Sequence, residues 1–219
     1  MKVIAQIISW IFIPLIMPIY ALMVVMYVPS FESSFFQYNT LYWMHPNFKL
    51  LVLSMFAIFC FLAPGISLIM LRRSKAISSI EMDDRQERNI PIIISALYCL
   101  VLGVLLWVKT PNQMIPVAIY ALPWGGFLGI SIAGIINRFD KISLHALGAG
   151  MMFGFFISYY YYQAEYYFEI LIFATLVCGL VMSARLYLKK HTMKQVISGF
   201  LLGFVSLFGI LQLFIFFSS

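Results

Sequence analysis

VMSARLYLKKHTMKQVISGFLLGF, residues 181–204, holds the end of one apolar run, a short basic break and the start of the next. Across the break Arg185, His191, Gln195 and Gly199 stand in the order Arg-x5-His-x3-Gln-Val-x2-Gly. An apolar run that stops at cations and restarts within a few residues is the pattern of two helices meeting a membrane surface. Polar side chains held at that depth need partners or a ligand, because burying them unpaired is costly.

Outward from this stretch the chain repeats the pattern. Of 219 residues 63% are hydrophobic and 10% charged, and the mean hydropathy is +0.97, far above the range of water-soluble domains. About 20 apolar residues cross a bilayer. About seven such runs are legible, near 4–28, 50–72, 91–108, 115–137, 144–163, 167–186 and 194–217. The expected fold is therefore all-α: a polytopic integral membrane helical bundle forming a single transmembrane domain over 1–219. The first run is too long for a signal-peptide core and reads as a retained helix. Pro14, Pro18, Pro64 and Pro123 fall within apolar runs and are expected to kink them.

Seven crossings place the polar loop 72–89, the segment 138–148 and the segment 185–199 at the same face as the N-terminus. Lys2, Arg72, Arg73, Lys75, Arg85, Arg88, Arg138, Lys141, Arg185, Lys189, Lys190 and Lys194 lie there, and only Lys49 and Lys109 lie opposite. The bias predicts that the N-terminus and these loops are cytoplasmic. The net charge of +6 suits anionic lipid headgroups and gives no argument for nucleic acid.

On the far face Tyr159 to Tyr162, Tyr166 and Tyr167, with Tyr38, Tyr42 and Trp43, read as an interfacial aromatic belt. His45 reads as a surface residue. Cys60, Cys99 and Cys178 lie in apolar runs and read as small core groups rather than a disulfide framework. Gly125 with Gly129, Gly150 with Gly154 and Gly199 with Gly203 have the four-residue spacing that lets membrane helices approach closely, inside one chain or at a homodimer seam.

The chemistry concentrates in two segments. His191 stands just before a helix start, where unpaired N–H groups and the helix dipole favour an anion. Arg185 offers a planar fork of donors for phosphate oxygens. Gln195, one turn beyond His191, is placed to accept from one ring nitrogen and leave the other to attack. The alternative is structural: Thr192-x-x-Gln195 matches a capping box. Upstream, Ser143-Leu144-His145 sets a hydroxyl beside a second histidine, although Ser143 also suits a helix N-cap.

These residues resemble the type-2 phosphatidic acid phosphatase family, part of the lipid phosphatase and haloperoxidase-like superfamily, as a divergent member. That family's third motif is Ser-Arg-x5-His-x3-Asp-Val-x2-Gly. Arg185, His191, Val196 and Gly199 match it, while Ala184 replaces the serine and Gln195 the aspartate. Ser143 and His145 match the second motif, Pro-Ser-Gly-His, with Ile142 and Leu144 replacing proline and glycine. The first motif, Lys-x6-Arg-Pro, has only a loose counterpart in Asp84 to Pro91, where Arg85 and Arg88 precede a displaced proline. The resemblance covers about residues 72–210.

It implies a six-helix core and a metal-free, cofactor-free hydrolase acting on a lipid phosphate: phosphatidic acid, phosphatidylglycerol phosphate, or a polyprenyl phosphate or diphosphate. The catalytic set would be His191 as nucleophile, His145 as general acid and Gln195 as the orienter of His191. Arg185, Ser143 and Arg85 or Arg88 would bind the phosphoryl oxygens. Replacing Gln195 by the family's aspartate is expected to preserve or raise turnover. Two other readings remain open at this level. One is a non-catalytic lipid-binding or transport relative. The other is a prenyl-diphosphate enzyme holding Mg2+ on Asp83-Asp84-x-x-Glu87.

Overall fold

The computed structural model describes residues 1–32, 40–80, 82, 84–110 and 115–218. The molecule is 78% helical, with almost no strand. Among the described residues five helices are long and apolar enough to cross a membrane: Pro46–Arg73, Gln86–Lys109, Val117–Ile136, Glu169–Tyr187 and Met193–Phe217. Their outward faces carry side chains such as Ile93, Leu97, Val101, Phe173, Leu176 and Leu201. So many exposed apolar side chains on long helices need a lipid solvent. The protein is a multi-pass membrane protein.

The N-terminal apolar run is not one helix. It forms α1 (Lys2–Ile11) and α2 (Met17–Tyr27), separated by a break that contains Pro14, with Pro18 in the first turn of α2. Neither proline can donate a backbone hydrogen bond, and two within five residues interrupt the ladder. Next come α3 (Pro46–Phe56), a π-helical segment (Ala57–Leu62) and α4 (Ala63–Arg73), which run on as one rod. Pro64 stands in the first turn of α4, two residues past the end of the π segment, whose wider turn accommodates the clash that its ring would make with a carbonyl one turn back. Pro123, by contrast, sits inside an uninterrupted helix, α6 (Val117–Ile136).

The remaining rods are α5 (Asn89–Lys109), α7 (Leu144–Tyr161), α8 (Glu169–Tyr187) and α9 (Met193–Ser218). α7 is less apolar than the five long rods, with its glycines and three tyrosines, yet it is the most buried helix. A helix surrounded by other helices has little need of lipid-facing side chains.

α7 and α9 pack backbone against backbone. A Cβ on Gly150 would run into the carbonyl of Phe200, and one on Gly203 into the carbonyl of Leu147; Gly154 and Gly199 face Phe204 and Ser143 in the same way. Gly125 and Gly129 of α6 meet Leu207 and Ser206 of α9. All three glycine pairs are thus used within the chain. The seam has a functional consequence, since it sets the start of α7 beside the start of α9, where the Ser143 amide donates to the Gln195 carbonyl at 3.3 Å.

The opposite end of α7 is closed by a small antiparallel pair, β1 (Ser30–Glu32) with β2 (Gln163–Tyr166). The tyrosines there divide. Tyr161 and Tyr167 are exposed as a belt requires, but Tyr159 and Tyr160 are core residues. Tyr159 Oη takes a hydrogen bond from the Leu41 amide and pairs with Thr40 Oγ1, both at 3.1 Å, and Tyr160 stacks on Tyr166. The belt reading fails for these two because four consecutive residues on a helix point in all directions. Tyr38 lies outside the described residues. His45 is exposed and caps α3 through Nδ1, which accepts from the Asn47 amide. The three cysteines are buried thiols.

Candidate active site

α8 ends at Tyr187 in a Schellman turn. The Lys189 amide donates to the Leu186 carbonyl and the Lys190 amide to the Arg185 carbonyl, with Lys189 in the left-handed region at φ 53°. The turn reverses the chain so that His191 folds back over the end of α8. Thr192 then caps α9. Its Oγ1 accepts from the Gln195 amide at 3.4 Å, and Gln195 Oε1 accepts from the Thr192 amide at 3.2 Å. The capping box is therefore real, and it does not exclude the orienting role, because the same Gln195 Oε1 lies 3.3 Å from His191 Nδ1.

Three segments and the N-terminal helix converge here. Arg88 is the last residue of a 3-10 turn (Gln86–Arg88) that leads into α5; its Nε donates to the Met82 carbonyl at 2.8 Å and its Nη1 to the Ile142 carbonyl at 3.3 Å. Asn137 Nδ2 donates to the Arg85 carbonyl and to Asn89 Oδ1, both at 3.0 Å. These bonds clamp the 72–89 loop onto the start of α7. From α1, Ser9 Oγ accepts from Arg185 Nη1 at 3.4 Å, and the Ser9 carbonyl lies 3.1 Å from His145 Nε2. A carbonyl only accepts, so His145 carries its proton on Nε2 and leaves Nδ1 for a ligand.

Arg88, His145, Arg185 and His191 line one cavity of about 240 Å3, together with Ser9. Arg88, Arg185 and His191 are buried, at 4%, 6% and 8% exposure, which puts two guanidinium groups where water competes poorly for an anion. The rest of the wall is apolar and runs inward past Trp10, Met17, Phe59, Leu122 and Leu207. The broken α1–α2 junction and the π segment both border it. Irregular backbone at membrane depth is tolerated at such a lining.

His191 is held neutral. Burial, then the charges of Arg88, Arg185 and Lys141, push its pKa down to about 3, against a smaller upward pull from Gln195. An imidazole kept unprotonated beside two arginines can use its lone pair on an electrophile whose negative oxygens the arginines hold.

The other expected site residues stand apart. Ser143 is fully buried and caps α7, its Oγ accepting from the Ala146 amide at 3.4 Å, and it does not line the cavity. Arg85 is half-buried outside the cavity and donates to the Phe139 carbonyl at 2.6 Å, latching one loop to another. In the acidic stretch Asp83 lies outside the described residues. Asp84 accepts from the Gln86 amide, while the Glu87 carboxylate accepts from the Ser78 amide and hydroxyl. Among the described residues no group of three or more His, Cys, Asp or Glu side chains is placed to hold a metal.

Two site residues were not legible as such. Ser9 is one of three polar residues, with Lys2 and Gln6, in an otherwise apolar helix, and only the fold shows that its face is internal. Asp140 sits beside the His145 segment in sequence, but its contact with Gln195 crosses 55 residues. No family model matches the chain, and no curated protein or solved structure matches it significantly.

Proposed function

We propose that the protein is a membrane phosphatase that hydrolyses a lipid phosphomonoester or diphosphate through a phosphohistidine at His191. The observation that carries this reading is the single cavity in which His145, His191, Arg88 and Arg185 meet above an apolar interior. The arginines bind the phosphoryl oxygens and the apolar wall takes the lipid chain. The Nε2 lone pair of His191 attacks phosphorus as the bond to the leaving alcohol oxygen breaks. His145 takes up a second proton on Nδ1 when the anionic phosphate binds beside it, gives that proton to the leaving oxygen and returns to its neutral Nε2–H form, still bonded to the Ser9 carbonyl. Water then attacks phosphorus while His145 Nδ1 accepts its proton, the P–N bond breaks, and phosphate leaves with both histidines restored.

In the finer topology of this reading the chain crosses seven times around a six-helix phosphatase-like core, and the site faces the cytoplasm. The α1–α2 pair makes the first crossing and α7 the fifth. The concentration of cations at the site end supports the orientation.

Phosphate release by the detergent-solubilised protein tests the proposal. The panel is phosphatidic acid, phosphatidylglycerol phosphate, and a polyprenyl phosphate and diphosphate, each assayed in parallel with EDTA and with Mg2+, and with His191→Ala alongside. Turnover that survives EDTA and is lost in the variant supports the histidine route. Turnover that requires Mg2+ supports the acidic-loop enzyme instead, and absence of turnover on every lipid supports a binding protein.

A further inference from the structure

The polar chain that begins at His191 does not end at Gln195. Gln195 Nε2 donates to Asp140 Oδ1 at 2.8 Å, while Oε1 of the same amide faces both the Thr192 amide at 3.2 Å and His191 Nδ1 at 3.3 Å. The orientation of the amide is fixed from both sides. An ionised carboxylate only accepts and a backbone amide only donates, so Nε2 must face Asp140 and Oε1 must face Thr192. The ring atom that meets Oε1 must then be a donor. A neutral imidazole carries one proton, which therefore sits on Nδ1 and leaves Nε2 with its lone pair.

We infer that Asp140 is a positioning residue that acts on His191 through Gln195. The carboxylate, amide and imidazole form a relay that fixes the reactive tautomer and supplies negative charge at one remove, where the resembled family has a carboxylate in direct contact. When Nε2 bonds to phosphorus the ring becomes cationic. The Nδ1 proton stays in place, and the polarised amide oxygen stabilises the charge. No proton moves along the relay, so Gln195 stays neutral throughout.

The surroundings keep Asp140 ionised. Its Oδ1 also accepts from the Lys141 amide at 2.7 Å, and Lys194 and Arg85 add positive charge. The Gln195 bond, and then these groups, hold the carboxyl below its usual range against an opposing desolvation effect. A tie between the 137–143 segment and α9 would account for the 2.8 Å bond alone. It would not require any particular tautomer at His191.

The attack at phosphorus rests on the phosphatase reading, but the tautomer does not, and this separates the two in experiment. The chain has three histidines, so 15N-histidine NMR of the detergent-solubilised protein contains three ring systems, and His191→Ala identifies one of them. The expected result is a single Nδ1–H tautomer for His191 between pH 5 and pH 8. In Asp140→Ala only the Thr192 amide still holds Oε1 towards the ring, so the Nε2–H form gains population beside the Nδ1–H form, and kcat falls about 10- to 100-fold, as for loss of an outer partner that orients a reactive imidazole, with KM within about two-fold. Asp140→Asn keeps an acceptor for Gln195 Nε2 and guards against loss of fold; it retains the tautomer and loses only the part of kcat that depends on charge. An Nε2–H tautomer in the wild type, or an Asp140→Ala spectrum identical to the wild type, overturns the relay. If the tautomer responds to Asp140 but no lipid phosphate is turned over, the relay stands and the phosphatase reading falls.

Discussion

Gln195→Glu is nearly isosteric, and its consequences follow from the 2.8 Å bond to Asp140. The substitution exchanges the donor for a second carboxylate at the same place. Two unit charges about 4 Å apart interact by about 1 kcal/mol at the dielectric of water and about 4 kcal/mol at an effective value of about 20. Asp140 is half-exposed, so screening favours the lower half of that range, about 1 to 2 kcal/mol. Loss of the charge-assisted hydrogen bond adds about 1.5 to 3 kcal/mol. The variant is therefore expected to be about 2.5 to 5 kcal/mol less stable at pH 8.

The same site will bind a proton that the wild type does not. Whether the proton rests on the introduced carboxyl or on Asp140, a second carboxylate faces the acceptor and raises its pKa above the unfolded value, so folding is favoured as pH falls through that window. Chemical unfolding in detergent between pH 8 and pH 5 should show the deficit shrinking on acidification. A deficit that is constant with pH would refute the Asp140–Gln195 contact. The geometry also revises the expectation for Gln195→Asp. A carboxylate at position 195 meets Asp140, so a preserved or raised turnover is expected only when Asp140→Asn is combined with it.

His191 makes a separate contribution to pH dependence. Its folded pKa, about 3, lies below the ordinary histidine value, so the unfolded chain binds the extra proton and stability is lost as pH falls below about 6.5. The wild type should lose about 2 kcal/mol between pH 6.5 and pH 5 relative to His191→Gln, and parallel unfolding curves would contradict this. Gly150→Ala should cost about 3 kcal/mol or more and misplace the start of α7, because the added methyl meets the Phe200 carbonyl; retention of full thermal stability would refute the α7–α9 seam. Lys189→Gly should raise stability by about 1 kcal/mol at unchanged turnover, since glycine takes the left-handed position without a Cβ penalty, and a loss would contradict the Schellman turn.

Much of this is legible from residue patterns. The membrane class follows from composition, and the close helix approach from glycines four apart, because both depend on local or strictly periodic signals. The capping box and the ambiguity of Gln195 are readable for the same reason. The break between α1 and α2 goes further than the sequence suggests: two prolines predict a kink in one helix, and together they divide it. The buried Tyr159 and Tyr160 are unreadable because a run of tyrosines looks the same whether it faces headgroups or another helix. Arg88 rather than Arg85 reaches the cavity because a 3-10 turn sets the angular position of each, which spacing to a displaced proline does not encode. Ser9 and Asp140 join the site through contacts spanning 136 and 55 residues, so only the packed fold reveals them.

The central claim is the covalent role of His191, and trapping the intermediate tests it most directly. The wild type and His191→Ala would be mixed with a turned-over lipid phosphate, quenched in alkali, where phosphohistidine survives, and measured by intact-protein and peptide mass spectrometry. The expected result is one added phosphoryl group on the wild type, located at His191, lost on acid treatment and absent from the variant. Rapid turnover with no phosphoryl adduct at any quench time, or an adduct that persists in His191→Ala, would contradict it.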